Sequence, residues 1–266
     1  MVQELQRISV QVAREAGALI RELAQKPRYI EKKSRYDLVT DADRAAHTLI
    51  KERLLEQCPN SFVLSEEDPE THRAVGTFEK PVAWMVDPID GTTNYARNIP
   101  LCAVSIAAYD PFANQLLAGC VYNPFQEECF YASRDQGAFL NGQRISVSSI
   151  QSLENAVLST GYFNHPEITY PSSNLPETWQ FLKESLGLRR TGAASIDLCW
   201  VAMGRLDLYW ENGLKPWDMA AGILLVQEAG GQVTNYAGQS IHLFQDSLLA
   251  SNRFLHPAAM RILTQV

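Results

Sequence analysis

The stretch WMVDPIDGTTNYARNIP, residues 84–100, places two aspartates where an apolar run ends. Asp87 and Asp90 come just before Gly91, and two threonines follow directly. A single carboxylate at such a point could cap a helix, but two of them gather negative charge that needs a balancing group. The sequence therefore predicts that something cationic lies at this turn.

Further oxygen ligands stand at the ends of other predicted elements. Glu66 follows the strand-like SFVLS, and Asp218 stands before an apolar helical pattern. Mg²⁺ prefers carboxylate and carbonyl oxygens, and a strand end followed by a tight turn can aim Asp87, the Ile89 carbonyl and Asp90 at one point. A turn that enters a helix also presents N–H groups to an anion such as phosphate. The pattern predicts a hard-cation site beside a phosphate site.

Several other catalytic motifs are absent from the sequence. It contains no GxSxG, GxxxxGK[ST], GxGxxG or HExxH motif, and its five histidines lie far apart. A DxDGT aspartate nucleophile is also excluded, because Pro88 stands two residues before Asp90. Catalysis based on histidine or on a covalent aspartate is therefore not predicted.

Composition restricts the protein class. With 266 residues, 46% hydrophobic, the chain can bury a large core, and its net charge of -7 gives no footprint for nucleic acid. Five scattered cysteines without a CxxC pair predict neither a disulfide framework nor a zinc site. The N-terminus carries charges throughout and has no apolar export region. These features predict a cytoplasmic protein that is not inserted in a membrane.

Hydrophobic periodicity suggests an α/β fold in two halves. An amphipathic helix is predicted over residues 2–25, and a second helix begins after Thr40 and ends before Pro59. Successive β-rich runs between residues 81 and 133 are spaced like hairpins and predict an antiparallel sheet. Strand-like and helical segments alternate afterwards. The predicted halves are residues 1–150, α+β, and residues 151–266, α/β.

Six short stretches carry a resemblance to a known family: DLVTDAD at 37–43, SEED at 65–68, DPIDGTTN at 87–94, GAFLNGQRI at 137–145, ENGLKPWD at 211–218 and WDMAAG at 217–222. In order and spacing they resemble the inositol monophosphatase family of Mg²⁺-dependent, lithium-sensitive phosphatases. The resemblance implies a layered α-β-α-β-α sandwich of the sugar/inositol phosphatase type. The N-terminal half would carry most metal ligands, and the C-terminal half would close the active site.

The resemblance also implies a set of metal ligands. Glu66, Asp87 and the Ile89 carbonyl would hold one Mg²⁺, and Asp87, Asp90 and Asp218 would hold a second. Asp87 would thus bridge the two ions. In this mechanism a metal-activated water attacks phosphorus in line, and no covalent intermediate forms.

Catalytic and substrate roles follow from the same resemblance. The Thr92 hydroxyl, with Asp43 behind it and Glu66 beside it, would orient and deprotonate the attacking water. The residues implied to bind the phosphate or the released alcohol are Gly91, Thr92, Gly192, Ala193, Ala194 and Glu211.

Three positions depart from the family pattern. Ser65 stands where a glycine commonly precedes the metal-binding glutamate, Tyr95 where phenylalanine is usual, and His47 where an acid often sits. None of the three touches the implied metal-ligand set. Aromatic and histidine side chains outside the motifs have simpler interpretations: packing for Trp84, Trp200 and Trp217, and loops for His72, His165, His242 and His256.

The resemblance implies a phosphomonoesterase that converts myo-inositol 1-phosphate to inositol and phosphate, and a homodimer. Glu211 favours a polyol, because a carboxylate suits hydrogen bonds to sugar or inositol hydroxyls. The alternatives are another small ester, namely histidinol phosphate, fructose 1,6-bisphosphate or a 3′-phosphoadenosine nucleotide, or a non-catalytic regulatory protein on the same fold. Loss of a metal carboxylate or of Thr92 would favour the regulatory protein, and all of them are present.

Overall fold

A computed structural model describes residues 1–27, 29–32, 38–72, 78–162, 173–245 and 247–265. The helices in these ranges are α1 Val2–Leu23, α2 Asp41–Gln57, α3 Pro69–His72, α4 Thr92–Ala96, α5 Leu175–Glu184, α6 Ala194–Ala202, α7 Pro216–Glu228 and α8 His256–Gln265, with a 3-10 turn at Leu153–Asn155. Asp37 and His165 lie outside the described residues.

The strands fall into three sheets. They are β1 Ile30–Lys32, β2 Leu38–Thr40, β3 Ser61–Ser65, β4 Val82–Asp90, β5 Ala103–Asp110, β6 Gln115–Asn123, β7 Glu128–Ser133, β8 Gly137–Leu140, β9 Gln143–Arg144, β10 Val157–Thr160, β11 Gly187–Arg189, β12 Leu208–Asn212, β13 Gln232–Thr234 and β14 Ser247–Ser251. Strands β1 and β2 form a separate antiparallel pair.

The larger sheet contains seven strands, β3 to β9, in chain order. Strands β4 to β9 pair antiparallel, as the hairpin spacing predicts. Asn141 and Gly142 both have positive φ and form the two-residue turn between β8 and β9. Strands β3 and β4 pair parallel, a feature that the sequence pattern did not predict. A parallel pair needs a crossover connection, and the chain supplies one that includes α3.

The smaller sheet contains five strands in the order β11-β10-β12-β14-β13. Strand β10 is parallel to both of its neighbours, while β14 is antiparallel to β12 and β13. This mixed sheet comes entirely from residues 157–251, where the sequence predicts alternating strands and helices.

Helices cover both faces of each sheet and build five layers. Helices α1 and α2 pack on one face of the larger sheet, α6 and α7 lie between the sheets, and α5 and α8 cover the outer face of the smaller sheet. Helix α7 is buried almost all round, because it contacts strands of both sheets. The α-β-α-β-α sandwich is therefore confirmed.

Helix α1 illustrates how the sequence sets these layers. Its apolar residues recur every three or four positions, and Leu5, Ile8, Val12 and Ile20 are buried against the larger sheet and α2. The helix ends at Leu23, two residues before the predicted end and four before Pro27.

Some predictions for single residues are wrong. His256 is not a loop residue: it begins α8, is 3% exposed and is held between the hydroxyls of Thr234 and Ser251. His72 ends the short helix α3, and its ring stacks on Trp217 at 4.5 Å. Trp217 and Thr234 lie far from their histidine partners in the chain, so local sequence gives no sign of these contacts.

All five cysteines carry free thiols, as their spacing predicts. Within the described ranges, no helix combines the length and the apolar character that a membrane span requires.

Candidate active site

The end of strand β4 carries the two aspartates on one face of the larger sheet. In a regular strand, residues three apart point to opposite faces. Here the pairing with β5 shifts between Asp87 and Asp90, where Pro88 cannot donate to the ladder. Ile89 consequently packs on the α1 side, while Asp90 faces α6. The aspartates are thus part of a bulged strand rather than of a turn after it.

The aspartates open into a cavity of about 350 Å³ between the two sheets. Its lining contains every predicted site residue except Asp43: Glu66, Asp87, Ile89, Asp90, Gly91, Thr92, Thr93, Gly161, Arg190, Gly192, Ala193, Ala194, Asp197, Glu211, Leu214 and Asp218. A larger groove of about 840 Å³ lies between α1 and strands β7 and β8, but none of its described lining residues carries a carboxylate.

Backbone and hydroxyl donors fix the three aspartates. Asp87 Oδ1 accepts from the Ile89 N–H at 3.0 Å, and Asp218 Oδ2 accepts from the Lys215 N–H at 2.7 Å. Asp90 Oδ2 accepts from the Ser195 N–H at 2.7 Å and from the Ser195 hydroxyl. Asp218 is thereby both a capping residue in the first turn of α7 and a part of the cavity wall.

Burial and mutual repulsion raise the pKa values of these carboxyl groups. Burial raises the pKa of Asp87 well above its usual range, and the Glu66 and Asp90 carboxylates raise it further. Burial likewise raises the pKa of Asp90 to about 6, although Ser195 donates to it. The pKa of Asp218 is raised well above its usual range by burial and by Glu66. A cation among these groups would favour their charged forms.

The donor set fits Mg²⁺. Six carboxylates and the Ile89 carbonyl line the cavity, and among its described lining residues Arg190 alone carries a positive charge. Such an excess of hard oxygen donors is what Mg²⁺ prefers. In the described part of the chain, no three His, Cys, Asp or Glu side chains are already gathered in the geometry of a metal site.

Asp43 lies behind Thr92 and serves two elements at once. Its Oδ2 accepts from the Thr40 N–H at 2.7 Å, and its own N–H donates to the Thr40 hydroxyl oxygen at 3.4 Å; these two bonds make the capping box that begins α2. Its Oδ1 lies 3.1 Å from the Thr92 Oγ1, which is also 3.1 Å from the Ile89 carbonyl. Burial raises the pKa of Asp43. A hydroxyl has one proton, so Thr92 donates to one of these two acceptors at a time and keeps lone pairs free to accept.

Gly91 joins β4 to α4 in a left-handed conformation with φ 86°. A Cβ at this position would also approach the Leu101 carbonyl oxygen to 2.9 Å. Asn94 in α4 donates to the Leu101 and Thr191 carbonyls and so ties this turn to the segment that enters α6. The turn and this segment, residues 192–194, therefore form adjoining parts of the cavity wall.

The opposite wall carries two further carboxyl groups. Burial raises the pKa of Glu211 to about 7, while the Tyr209 hydroxyl and Arg190 act in the other direction. Asp197 accepts from Thr191 and Ser159 at 2.7 and 2.8 Å, yet burial raises its pKa to about 8. This wall is polar, and the cavity as a whole holds less negative charge at neutral pH than its six carboxyl groups suggest.

Two departures from the family pattern contact each other. His47 Nδ1 lies 2.9 Å from the Ser65 hydroxyl, one residue before Glu66. The Ser65 carbonyl in turn lies 2.8 Å from His72 Nε2. Tyr95 is buried against α1, and its hydroxyl lies 3.4 Å from the Ile20 carbonyl. His47 and Ser65 therefore form a pair beneath the strand end that carries Glu66.

Sequence reasoning missed four lining residues: Gly161, Arg190, Asp197 and Leu214. Asp197 did leave a signal, because it is an acid in the otherwise apolar SIDLCWVA of α6. Gly161 left none, since its importance depends on a strand 50 residues away.

Comparison with known proteins gives one consistent result. All 266 residues match the model of the inositol monophosphatase family. The inositol-1-monophosphatase of Synechocystis is 41% identical over 250 residues, which cover 94% of this chain and 85% of that protein. The Nus factor SuhB of Escherichia coli is 38% identical over 247 residues, which cover 92% of this chain and 90% of that protein. The inositol monophosphatase of Anabaena superposes with a TM-score of 0.87 at 32% identity, covering 99% of this chain and 96% of that one.

Proposed function

The chain belongs to the inositol monophosphatase family, and we propose that it is a Mg²⁺-dependent phosphomonoesterase that hydrolyses myo-inositol 1-phosphate to inositol and phosphate. The observation that carries this proposal is the cavity in which Glu66, Asp87, Asp90 and Asp218 meet Thr92 and a turn with phosphate-binding character. The similarity to the Synechocystis inositol-1-monophosphatase supports the choice of substrate.

The metal-binding wall is proposed to hold two ions. Glu66, Asp87 and the Ile89 carbonyl would bind one Mg²⁺, and Asp87, Asp90 and Asp218 the other. Bound Mg²⁺ would make water more acidic and offset the charge of the phosphate and of the leaving alcohol oxygen. The raised pKa values of the aspartates support this assignment, because they indicate negative charge that the protein itself does not balance.

Thr92 is proposed to orient the attacking water. Its hydroxyl proton is directed at Asp43 or at the Ile89 carbonyl, so its oxygen can accept a hydrogen bond from water. Glu66 lines the same cavity and would accept the proton that the water loses. The N–H groups of Gly91 and Thr92 would bind phosphate oxygens.

The opposite wall is proposed to bind the alcohol. Glu211 would accept hydrogen bonds from substrate hydroxyls, and Gly192, Ala193 and Ala194 would flank the ring. A carboxylate distinguishes a hydroxyl-rich alcohol from a plain one, because an unpaired buried acceptor is costly. This wall is thus expected to select the substrate.

We also propose a homodimer in the cytoplasm. Leu175, Trp179, Leu182 and Leu186 lie on one side of α5 and just beyond it, and each is 45–69% exposed. Such an apolar stripe is typical of a surface that another subunit covers. Five free thiols suit a reducing compartment. A molar mass in solution of about twice 29.8 kDa would support the dimer.

The division into residues 1–150 and 151–266 also remains a proposal. The first half supplies Glu66, Asp87, Asp90 and Thr92, while the second supplies Asp218 and the alcohol-binding wall. This distribution supports a cavity closed by the C-terminal half.

A phosphate-release panel tests the function. Myo-inositol 1-phosphate, histidinol phosphate, fructose 1,6-bisphosphate and adenosine 3′,5′-bisphosphate are each assayed in millimolar Mg²⁺, with and without Li⁺, and in excess EDTA. We expect the highest kcat/KM for the inositol ester, inhibition by Li⁺, and loss of turnover in EDTA that Mg²⁺ restores. Robust release in EDTA would refute the metal mechanism, a clear preference for another ester would replace the substrate, and no release from any ester would favour the regulatory alternative.

A further inference from the structure

Strands β10 and β12 lie side by side and end together at the alcohol-binding wall. They pair parallel, with Ser159 opposite Tyr209 and Thr160 opposite Trp210. Gly161 follows Thr160 directly, and Glu211 follows Trp210 on β12. The two residues therefore lie side by side where they line the cavity. Glu211 therefore has one neighbour along its own strand and another across the pair.

The neighbour along the strand is Tyr209. Residues two apart in a strand share a face, and the buried Tyr209 hydroxyl donates to Glu211 Oε2. Burial raises the pKa of Tyr209 well above its usual range, and Glu211 raises it further, so this hydroxyl keeps its proton. One Glu211 oxygen is thus held by the protein, and the other can accept from a ligand.

The neighbour across the pair is Gly161. A Cβ there would stand 1.9 Å from Glu211 Oε2 and 2.2 Å from its Cδ, so the carboxyl group occupies the space of the missing side chain. The Gly161 carbonyl accepts from the Asn174 amide at 2.6 Å, which tethers the backbone. Its φ is outside the left-handed region. The glycine is required by space and not by backbone conformation.

We propose that Tyr209 and Gly161 are positioning residues that together fix the Glu211 carboxyl group and thereby set the preference for polyol phosphates. The inference rests on the proposed function, because it takes Glu211 as the acceptor for substrate hydroxyls. The Tyr209 hydroxyl holds one oxygen of the carboxyl group, and Gly161 leaves free the space that the group occupies.

Two variants and two matched controls test the proposal. Tyr209→Phe removes the hydroxyl, and Gly161→Ala fills the space. Tyr109→Phe removes the hydroxyl of another buried tyrosine, which donates to Asn114 in the turn between β5 and β6. Gly187→Ala adds a methyl group that, among the described residues, approaches only Arg189, at 3.4 Å. Each protein is assayed with myo-inositol 1-phosphate and with p-nitrophenyl phosphate, whose alcohol carries no further hydroxyl.

We expect Tyr209→Phe to lower kcat/KM for the inositol ester about tenfold, mainly through KM, and the aryl ester by less than about twofold. Gly161→Ala should lower kcat/KM for the inositol ester by a larger factor, and it too should affect the aryl ester less. Both control variants should leave the ratio of the two kcat/KM values unchanged. Tyr209→Phe added to Glu211→Gln should cost little more than Glu211→Gln alone. Equal losses on both substrates, or additive losses in the double variant, would overturn the positioning role.

A crystal structure of each variant separates this inference from the proposed function. In Gly161→Ala the Glu211 carboxyl group must leave its place, and in Tyr209→Phe it should adopt another rotamer or become disordered. An unmoved carboxyl group would overturn the inference whatever the substrate is. A moved group in an enzyme whose wild type does not favour the inositol ester would refute the proposed substrate alone.

Discussion

The two sheets contribute to the cavity in different ways. On the side of the larger sheet, Glu66, Asp87, Asp90 and Thr92 come from 27 consecutive residues, and two of them share one bulged strand end. On the side of the smaller sheet, Gly161, Asp197 and Glu211 come from three separated elements and meet only through strand pairing and the packing of α6. Apart from Asp218, which α7 supplies, the proposed metal ligands are therefore locally encoded, whereas the alcohol-binding wall depends on the tertiary fold. We expect the first to govern the rate and the second to govern the choice of substrate.

The largest effect should come from Asp90→Asn. The amide keeps the shape and can still accept from Ser195, but it removes charge that holds Mg²⁺, so kcat/KM should fall by at least about 1000-fold on every ester. The same change removes one of several repelling buried carboxylates, so the metal-free protein should be as stable as the wild type or more stable. Near-normal kinetics, or a loss confined to polyol esters, would contradict the expectation that the metal-binding wall governs the rate on every ester.

The next largest effect should come from Thr92→Val and Asp43→Asn. Each should lower kcat about 100-fold with little change in the Mg²⁺ concentration for half activation, because both act on the orientation of one water. The double variant should be scarcely worse than either single one, since residues that act as a unit are non-additive. Losses that multiply in the double variant would show that Asp43 acts only as the cap of α2.

A third prediction concerns the stability of the smaller-sheet side at acid pH. Burial lowers the pKa of His256 to about 4, against about 6.5 in an unfolded chain, so the unfolded state binds the extra proton first as the pH falls. His256 should leave the free energy of unfolding unchanged above pH 6.5 and should lower it by about 2 kcal/mol at pH 5.

Urea unfolding of the wild type and of His256→Gln, at pH 7 and at pH 5, measures how much His256 contributes to the loss of unfolding free energy. The buried aspartates with raised pKa values act in the opposite direction, because they gain a proton in the folded state first, so only the difference between the two proteins isolates His256. The variant should lose less stability on acidification than the wild type. An identical change in both proteins would show that His256 is not the acid-sensitive group.

The smallest effect should come from Glu211→Gln. It should lower kcat/KM for myo-inositol 1-phosphate about tenfold and leave a larger fraction of activity on an aryl phosphate, because the predicted contact is with hydroxyls far from phosphorus. Parallel assays of both substrates give the ratio. Equal losses on both substrates would show that Glu211 affects the rate and not the choice of substrate. The two sides of the cavity would then not differ in function as expected.

The sequence predicted the parts of this structure that local pattern controls. Neighbours within a few positions determine four of these features: the periodicity of α1, the cap at Thr40, the hairpins after β4 and the cluster at residues 87–94. The fold that the resemblance implies is likewise encoded in short motifs, while its ligand set stays a prediction.

The remaining features depend on partners that no local pattern reveals. The parallel pairing of β3 with β4 and the bulge at Pro88 are set by register with neighbouring strands. The burial of His256 requires β13 and β14, and the role of Gly161 requires a carboxyl group 50 residues later. Each is a long-range contact, and hydrophobic periodicity carries no information on such contacts.

The bulge in β4 has a consequence for insertions and deletions. Strand β4 has three positions where β5 has two, and this extra residue brings Asp90 to the same face of the sheet as Asp87. Deleting Ile89 would return the strand to regular pairing and leave Asp90 on that face, because residues two apart share a face, but it would remove the carbonyl that is proposed to bind Mg²⁺. A gap at this position in a related sequence would therefore mark a protein that lacks both the bulge and this carbonyl ligand.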